Sequence, residues 1–331
     1  MLYQECLIRN HFCSFNIPDS YYIWEVSNIS LKGINMYSFN KNKTIFLLNP
    51  NAGIAGISPL VKQLEKFRNA FDYCVFSNIE EFRSFMKSRK NDYDTFIAAG
   101  GDGTVNSLAA ELIESGKIIG VFPLGSGNGF AREMGFRKNF RSIVEDIRRK
   151  ESFEIDVLFI NDIPSINVSG TGIDSLVAHE FQNFNHRGMW NYGVAALKTL
   201  IRIRPFNVSI SYGSNKIKDR FFMVSVANTR QFGNNAFLAP MALPDDGKFN
   251  LVLLKPFPKI LSPWFVFKLL AGTLKDSKYI KYIESEDQII IRSEESRVHI
   301  DGEPVIIKDA ISVSIRKNAL RILKSSLNTR N

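Results

Sequence analysis

Three short apolar runs in the first half of the chain end in glycine-rich turns, and this pattern restricts the fold more than any other feature. Thr44-Ile45-Phe46-Leu47-Leu48 runs into Asn49-Pro50-Asn51-Ala52-Gly53. Asp94-Thr95-Phe96-Ile97-Ala98-Ala99 runs into Gly100-Gly101-Asp102-Gly103-Thr104, and Ile118 to Phe122 into Pro123-Leu124-Gly125-Ser126-Gly127-Asn128-Gly129. Continuous apolar runs of this length bounded by turn signals read as strands buried on both faces. A further short strand is predicted near Tyr73 to Phe76. Between the runs, Ser58-Pro59 opens a helix to about Phe71, and Asn78 opens another through about Ser88. The stretch after Thr104 carries Val105, Leu108, Ala109 and Leu112 at helical spacing. Strands alternating with helices predict a parallel, doubly wound sheet with helices on both faces.

The texture changes after about Lys150. Ile155 to Phe159, Ser165 to Val168, Val208 to Tyr212, Phe221 to Ala227, Phe249 to Leu254, Gln288 to Arg292, Val298 to Ile300 and Ile311 to Ile315 read as strands, some parted by turns such as Asp246-Gly247 and Asp301-Gly302. Met189 to Arg202 and Pro263 to Leu274 read as helices. A length of 331 residues suits one large or two medium domains. The expected division is an extension over 1–40, an α/β domain over 41–150, a β-rich domain over 151–310, and a last segment over 311–331. Residues 1–40 show no clear period, and Met36, just before the first strand, is a candidate natural start.

Forty-two Lys and Arg against thirty-three Asp and Glu leave a formal charge of +9, which favours polyanions without choosing among nucleic acid, nucleotide phosphates and an anionic membrane face. No recognised nucleic-acid module accompanies the charge. Cys6, Cys13 and Cys74 are too few for a disulfide framework or a cysteine-rich zinc site, and suit a reducing compartment. No apolar run approaches the roughly 20 residues that span a bilayer. Leu251 to Leu274 is broken by Lys255, Pro256, Pro258, Lys259, Pro263 and Lys268. With no basic-then-apolar leader, a cytoplasmic protein is expected.

A glycine-rich strand-to-helix turn lets backbone approach a ligand closely. Its free N–H groups and the helix dipole favour phosphate. One such turn is as readily a tight connection with no ligand. Three at the carboxyl edge of one parallel sheet, where open α/β sheets bind ligands, favour a nucleotide site. No Gly-Lys-Ser/Thr follows, so none is a Walker A loop, and none spells the Rossmann fingerprint.

Together, Asn49-Pro50-x-x-Gly53, Gly100-Gly101-Asp102-Gly103-Thr104-Val105-Asn106 and Pro123-Leu124-Gly125-Ser126-Gly127-Asn128 resemble the signature blocks of the diacylglycerol kinase catalytic domain family, which includes bacterial lipid kinases and the sphingosine and ceramide kinases. Gly170-Thr171-Gly172-Ile173-Asp174, the strand end at Asn228, Leu243-Pro244-Asp245-Asp246-Gly247 and Asp301-Gly302-Glu303-Pro304 continue the resemblance to about Lys317. It implies an α/β domain that binds ATP and a β-sandwich-like domain that binds a lipid, of the NAD kinase and diacylglycerol kinase type. Leu320 to Leu323 would return toward the first domain.

By this resemblance the chain transfers the γ-phosphoryl group of ATP, with Mg²⁺, to a lipid hydroxyl, first of all that of diacylglycerol. A sphingoid-base or ceramide kinase, an NAD kinase and a non-catalytic nucleotide- or lipid-binding regulator are the rivals. Backbone N–H groups of Gly100, Gly101, Gly103 and Thr104, with the Thr104 hydroxyl, Asn49, Asn51 and Ser126, are the candidate nucleotide contacts. A turn-capping role is the alternative for Asn49. Asp102, repelled by phosphate, is expected to hold Mg²⁺ or the reacting hydroxyl. Asp301-Gly302 alone reads as a hairpin turn; the resemblance makes Glu303 the general base and Asp301 its partner or a Mg²⁺ ligand. It also implies a structural Mg²⁺ on Asp246 with the carbonyls of Lys248 and Leu243.

The pattern is not perfect. Ala52 stands where a serine is usual. Gly129 follows Asn128 where many bacterial diacylglycerol kinases have aspartate, and Asn234-Asn235 interrupts a glycine run. His179, His186 and His299 are not spaced as a zinc site. The basic residues Arg137, Lys138, Arg141, Arg148, Arg149 and Lys150 read as a solvated face. Phe257, Trp264, Phe265 and Phe267 among lysines suit either a core or an interfacial lip on an anionic membrane. Peripheral membrane contact is expected, and the oligomeric state is left open, a homodimer included.

Overall fold

The computed structural model describes residues 43–53, 56–181 and 197–327. The N-terminal extension, Met36 and His186 lie outside them, as does most of the helix expected over Met189 to Arg202, of which 197–202 are helical.

Four parallel strands form one end of a ten-stranded sheet, in the order β2 (Asp72–Val75), β1 (Thr44–Leu48), β3 (Thr95–Gly100), β4 (Ile118–Pro123). β1 is buried along its whole length, as its unbroken apolar spelling requires. The connecting helices are α1 (Ser58–Lys66), α2 (Ile79–Arg89) and α3 (Asp102–Leu112). Asn78 caps α2 by accepting the Glu81 N–H at 2.9 Å, while the Glu81 carboxylate accepts the Ser77 N–H at 2.8 Å, a reciprocal cap. α1 ends at Lys66, short of the expected Phe71. The Phe67 N–H turns back to the Leu64 carbonyl at 2.9 Å, and Phe67, Ala70 and Phe71 fold into the core. After β4 come the single turn α4 (Gly129–Glu133) and α5 (Phe140–Arg149), which buries Ile143, Val144 and Ile147.

The second half is layered. β5 (Ser152–Ile160), β6 (Ile163–Ser165), β8 (Phe206–Tyr212), β9 (Asn215–Phe221), β13 (Ile289–Ser293) and β16 (Ile311–Leu323) continue the first sheet. A six-stranded antiparallel sheet packs against them: β12 (Ile280–Ser285), β11 (Phe249–Leu254), β10 (Met223–Ala227), β7 (Val168–Gly172), β14 (Arg297–Ile300), β15 (Glu303–Ile306). Phe249, Leu251 and Leu253 face the first sheet. Val252 and Leu254 face the opposite way, toward α6 (Ile173–Phe181) and α7 (Ser262–Leu270). All six residues of β11 are therefore buried, each large apolar side chain being worth about 2 kcal/mol against exposure.

Three differences from the sequence reading have physical causes. The run Ser165 to Val168 is not one strand, because the N–H groups of Ile166 and Asn167 go to the Asp301 carboxylate instead of a ladder. β9 escapes a hydrophobic pattern because it is an edge strand whose Lys216, Lys218, Asp219 and Arg220 face solvent. β16 runs on to Leu323 rather than stopping at Ile315. Its register shifts between Arg316 and Leu320, where Asn318 has φ 53°. Beyond that bulge Arg321 and Ile322 pair in parallel with Ile118 and Ile119 of β4. Before it, Ile311 and Val313 pair with β13. One strand thus belongs to both halves.

Candidate active site

The turns after β1, β3 and β4 touch one another through backbone. Asn49 Nδ2 donates to Thr104 Oγ1 at 3.2 Å, and Asn49 Oδ1 accepts the Asn51 N–H at 3.0 Å. The turn-capping role and a place beside Thr104 therefore coexist in one side chain. The Leu124 N–H donates to the Gly100 carbonyl at 2.8 Å. A Cβ on Gly125 would come within 2.6 Å of Gly101 Cα, and one on Gly53, whose φ is +73°, within 2.2 Å of the Leu124 carbonyl oxygen. Only glycine permits that approach. Gly101, Gly103 and Thr104 sit at the start of α3, and Ser126 is exposed at the tip of the third turn.

Asp102 lies in this cluster, and its Oδ1 accepts the Phe130 N–H at 3.2 Å. Burial pushes its carboxyl above the usual range, opposed by the N–H groups of Gly129, Phe130 and Asn128. It fastens the second turn to the start of α4, a positioning role that the sequence reading did not include. Two buried acceptors nearby, Asn106 Oδ1 and Asn128 Oδ1, have no hydrogen-bond partner among the described residues.

The second domain brings Glu303 to this cradle. Asp301 and Gly302, at φ 50° and 88°, form a two-residue loop that pairs Ile300 with Glu303, the hairpin that Asp-Gly signals. Glu303 is exposed, and its Oε1 lies 3.2 Å from where a Cβ on Gly103 would sit. Asp301, expected beside it as a partner or metal ligand, is instead buried and engaged elsewhere. Its carboxylate accepts from Ser165 Oγ at 2.7 Å, Ile166 N at 2.8 Å and Asn167 N at 2.9 Å. Asp301 thus anchors the hairpin, and Glu303 is the carboxylate of this turn that reaches the cradle.

Burial raises the Asp301 carboxyl to about 6 despite those donors. Above its ordinary pKa of about 4 the unfolded chain has released this proton while the folded chain still holds it, so stability is full below that pH and falls as pH rises through about 6. The shift of roughly two units corresponds to about 3 kcal/mol. Urea titrations across that window are expected to show the decline, and Asp301→Asn is expected to flatten it. An unchanged slope in the variant would refute the assignment.

Beneath the hairpin lies a buried set that sequence reasoning missed. His299 Nδ1 accepts the Gly302 N–H at 3.2 Å, and His299 Nε2 lies 3.0 Å from Asp174 Oδ2. Ser225 Oγ donates to the same oxygen, and the Ser175 N–H to Asp174 Oδ1 at 2.8 Å. The Gly-Thr-Gly-Ile-Asp spelling marked Asp174, yet nothing local ties it to His299. Glu133 of α4 meets Arg230 Nε at 2.8 Å and Gln231 Nε2 at 3.1 Å, a second link between the halves.

The loop of Leu243, Asp246 and Lys248 lies apart, against β5 and the β16 bulge. Asp156 accepts from Gly247 N at 2.7 Å and Asn318 N at 2.9 Å, and Asp246 Oδ1 accepts the Lys248 N–H at 2.9 Å. Burial, then the charges of Asp156 and Glu284, push the Asp246 carboxyl up. Among the described residues no group of three or more His, Cys, Asp or Glu is placed to hold a metal. A cation there would draw on Asp246 and on carbonyl oxygens.

Residues 43–160 match the diacylglycerol kinase catalytic domain, and residues 167–324 the YegS C-terminal NAD kinase beta sandwich-like domain. A diacylglycerol kinase of Bacillus subtilis (strain 168) is 26% identical over 217 residues, covering 64% of this chain and 72% of that protein. A protein of Shewanella frigidimarina named "Probable lipid kinase YegS-like" is 26% identical over 217 residues, 63% of this chain and 69% of its own. The crystal structure of a diacylglycerol kinase from Bacillus anthracis superposes with a TM-score of 0.65 at 18% identity, covering 86% of this chain and 97% of that one, a likeness of fold. Two matched domains in the same order, carrying the glycine cradle and the Asp-Gly-Glu hairpin that faces it, place the chain in the diacylglycerol kinase catalytic domain family, the family of lipid kinases to which it belongs.

Proposed function

We propose that the chain transfers the γ-phosphoryl group of ATP to the hydroxyl of diacylglycerol, forming phosphatidic acid and ADP. The observation that carries this reading is the approach of Glu303 Oε1 to Gly103. A phosphate seated on the N–H groups of Gly101 to Thr104 would have that carboxylate beside it. A general base must reach the proton it takes. In the proposed step Glu303 accepts the hydroxyl proton as the lipid oxygen bonds to the γ-phosphorus, and the bond to the bridging oxygen breaks to release ADP. Backbone amides and the α3 dipole hold the phosphate charge, which is most of what phosphoryl transfer asks of a protein.

Mg²⁺ suits the cradle by the chemistry of its donors: Asp102 offers a carboxylate, and the unpartnered oxygens of Asn106 and Asn128 suit metal-bound water. When bound it would neutralise phosphate charge. The second, structural Mg²⁺ would rest on Asp246 and the carbonyls of Leu243 and Lys248, an all-oxygen set. An assay with labelled ATP against diacylglycerol, sphingoid base, ceramide and NAD in mixed micelles tests the reading. Labelled phosphatidic acid is the expected product. Another labelled product would reassign the acceptor, and none with any acceptor would favour a non-catalytic regulator.

A further inference from the structure

α7 is apolar on two opposite sides although it lies at the surface. Phe265 and Leu269 point inward, against Met223, Leu238 and Leu200, in a cavity that Asp174 and Phe232 also line. On the other side Trp264 is 45% and Phe267 67% exposed, and Ile260 in the preceding turn is 84% exposed. Trp264 and Phe267, at i and i+3, share one face of α7, and Ile260 precedes the helix while Ala271 caps its end, both exposed. Ile201 joins the same end of the domain: Lys259 Nζ donates to the carbonyls of Leu200 and Ile203 at 2.6 and 2.7 Å, and Ile201 is 56% exposed. Isolated exposed apolar residues need no explanation, but an aligned aromatic and aliphatic stripe marks an interaction surface.

The charges around the stripe identify what fits it. No Asp or Glu occurs between Asp246 and Asp276. Of the lysines in that stretch, Lys248 pairs with Glu284 at 3.6 Å and Lys255 with Asp219 at 2.8 Å, which leaves Lys268 and Lys275 as the cations beside the helix. Lys268 Nζ lies over the Trp264 ring, 5.7 Å from its centroid, and Lys275 and Lys278 are exposed just beyond the helix. An amphipathic ring capped by lysine, on a helix that itself carries no carboxylate, suits the boundary between acyl chains and anionic headgroups.

We infer that the outer face of α7, with Ile260 and Ile201, seats the protein on an anionic bilayer. The stripe would enter the headgroup region while the inner face of the same helix walls the cavity reaching Asp174. Asp174 lies beside His299, which holds the Gly302 N–H of the hairpin carrying Glu303. The inference rests on the lipid-kinase reading for why a bilayer is needed, so the test measures binding without nucleotide or turnover.

The wild-type chain and Trp264→Ser/Phe267→Ser are sedimented with vesicles of phosphatidylcholine alone and with about 30 mol% phosphatidylglycerol. The wild type is expected to bind the anionic vesicles, and the double variant to bind them roughly tenfold more weakly. Lys268→Glu/Lys275→Glu is expected to lose binding to anionic vesicles, with circular dichroism unchanged in both variants. Equal binding by wild type and the aromatic variant, or no binding by the wild type, would overturn the inference. So would a wild-type dimer that the aromatic variant converts to monomer, because the stripe would then be a contact between two copies. Phosphorylation of monomeric dioctanoylglycerol, read separately, is expected to be the same in wild type and both variants; its absence in the wild type would count against the kinase reading alone.

Discussion

Glu303→Gln is expected to lower kcat by about 10²- to 10⁴-fold with little change in KM for ATP. The amide keeps the size and shape of the side chain but cannot take a proton. Because Glu303 is exposed and the hairpin is anchored by Asp301 instead, the thermal midpoint is expected to stay near that of the wild type. Steady-state kinetics and a melting curve on the same preparation separate chemistry from folding. Wild-type turnover in Glu303→Gln would remove Glu303 from the reaction. If Asp301→Asn alone lost turnover while remaining folded, the base would have to be sought at Asp301, against its orientation.

The second large effect is expected at Gly129. Gly129→Asp would install the aspartate after asparagine that the family resemblance leads one to expect. Here a Cβ at that position would lie 2.4 Å from the carbonyl oxygen of Phe232, 2.9 Å from its carbonyl carbon and 3.0 Å from Gly233 Cα. These are backbone atoms and cannot swing aside as a flexible side chain can. Gly129 is not at positive φ, so the obstacle is steric and lies wholly in the facing loop. Gly129→Asp is therefore expected to lower stability by about 2–4 kcal/mol, from overpacking and a buried charge, and to reduce activity by more than tenfold. Urea unfolding and the ATP assay check it, and a variant as stable and active as wild type would show that the loop yields. The altered run at Asn234-Asn235, both residues at positive φ, follows directly on that loop. One departure thus packs against the two residues that immediately precede the other.

The legible parts of the site were those in which backbone geometry dictates residue type. The cradle needs glycine at Gly53 and Gly125 because other backbone lies within van der Waals reach, so the composition of the turns betrays their proximity. Asp301-Gly302 likewise spells its own hairpin. What could not be read was direction. Nothing in Asp301-Gly302-Glu303 says that the first carboxylate turns into the protein to meet Ser165, Ile166 and Asn167 while the second reaches across to Gly103. The pairing of His299 with Asp174, like that of Glu133 with Arg230, depends on docking elements distant in the chain and leaves no local signature. The resemblance brought Leu320 to Leu323 back to the first domain, as the pairing with β4 does, but not as the continuation of the strand from Ile311, for a different reason. Arg316-Lys317-Asn318 reads as a polar stop, but those residues form a bulge that the Asp156 carboxylate holds through the Asn318 N–H.

That strand has a mechanical consequence. The lobe carrying the glycine turns and the lobe carrying Glu303 are laced together by one continuous ribbon, bonded to β4 at one end and to β13 at the other, with β5 alongside through both. A wide clamshell swing would have to tear rungs from that ladder. The strand thereby limits how far the glycine turns and Glu303 can part without breaking those pairs or bending at the Arg316 to Leu320 bulge.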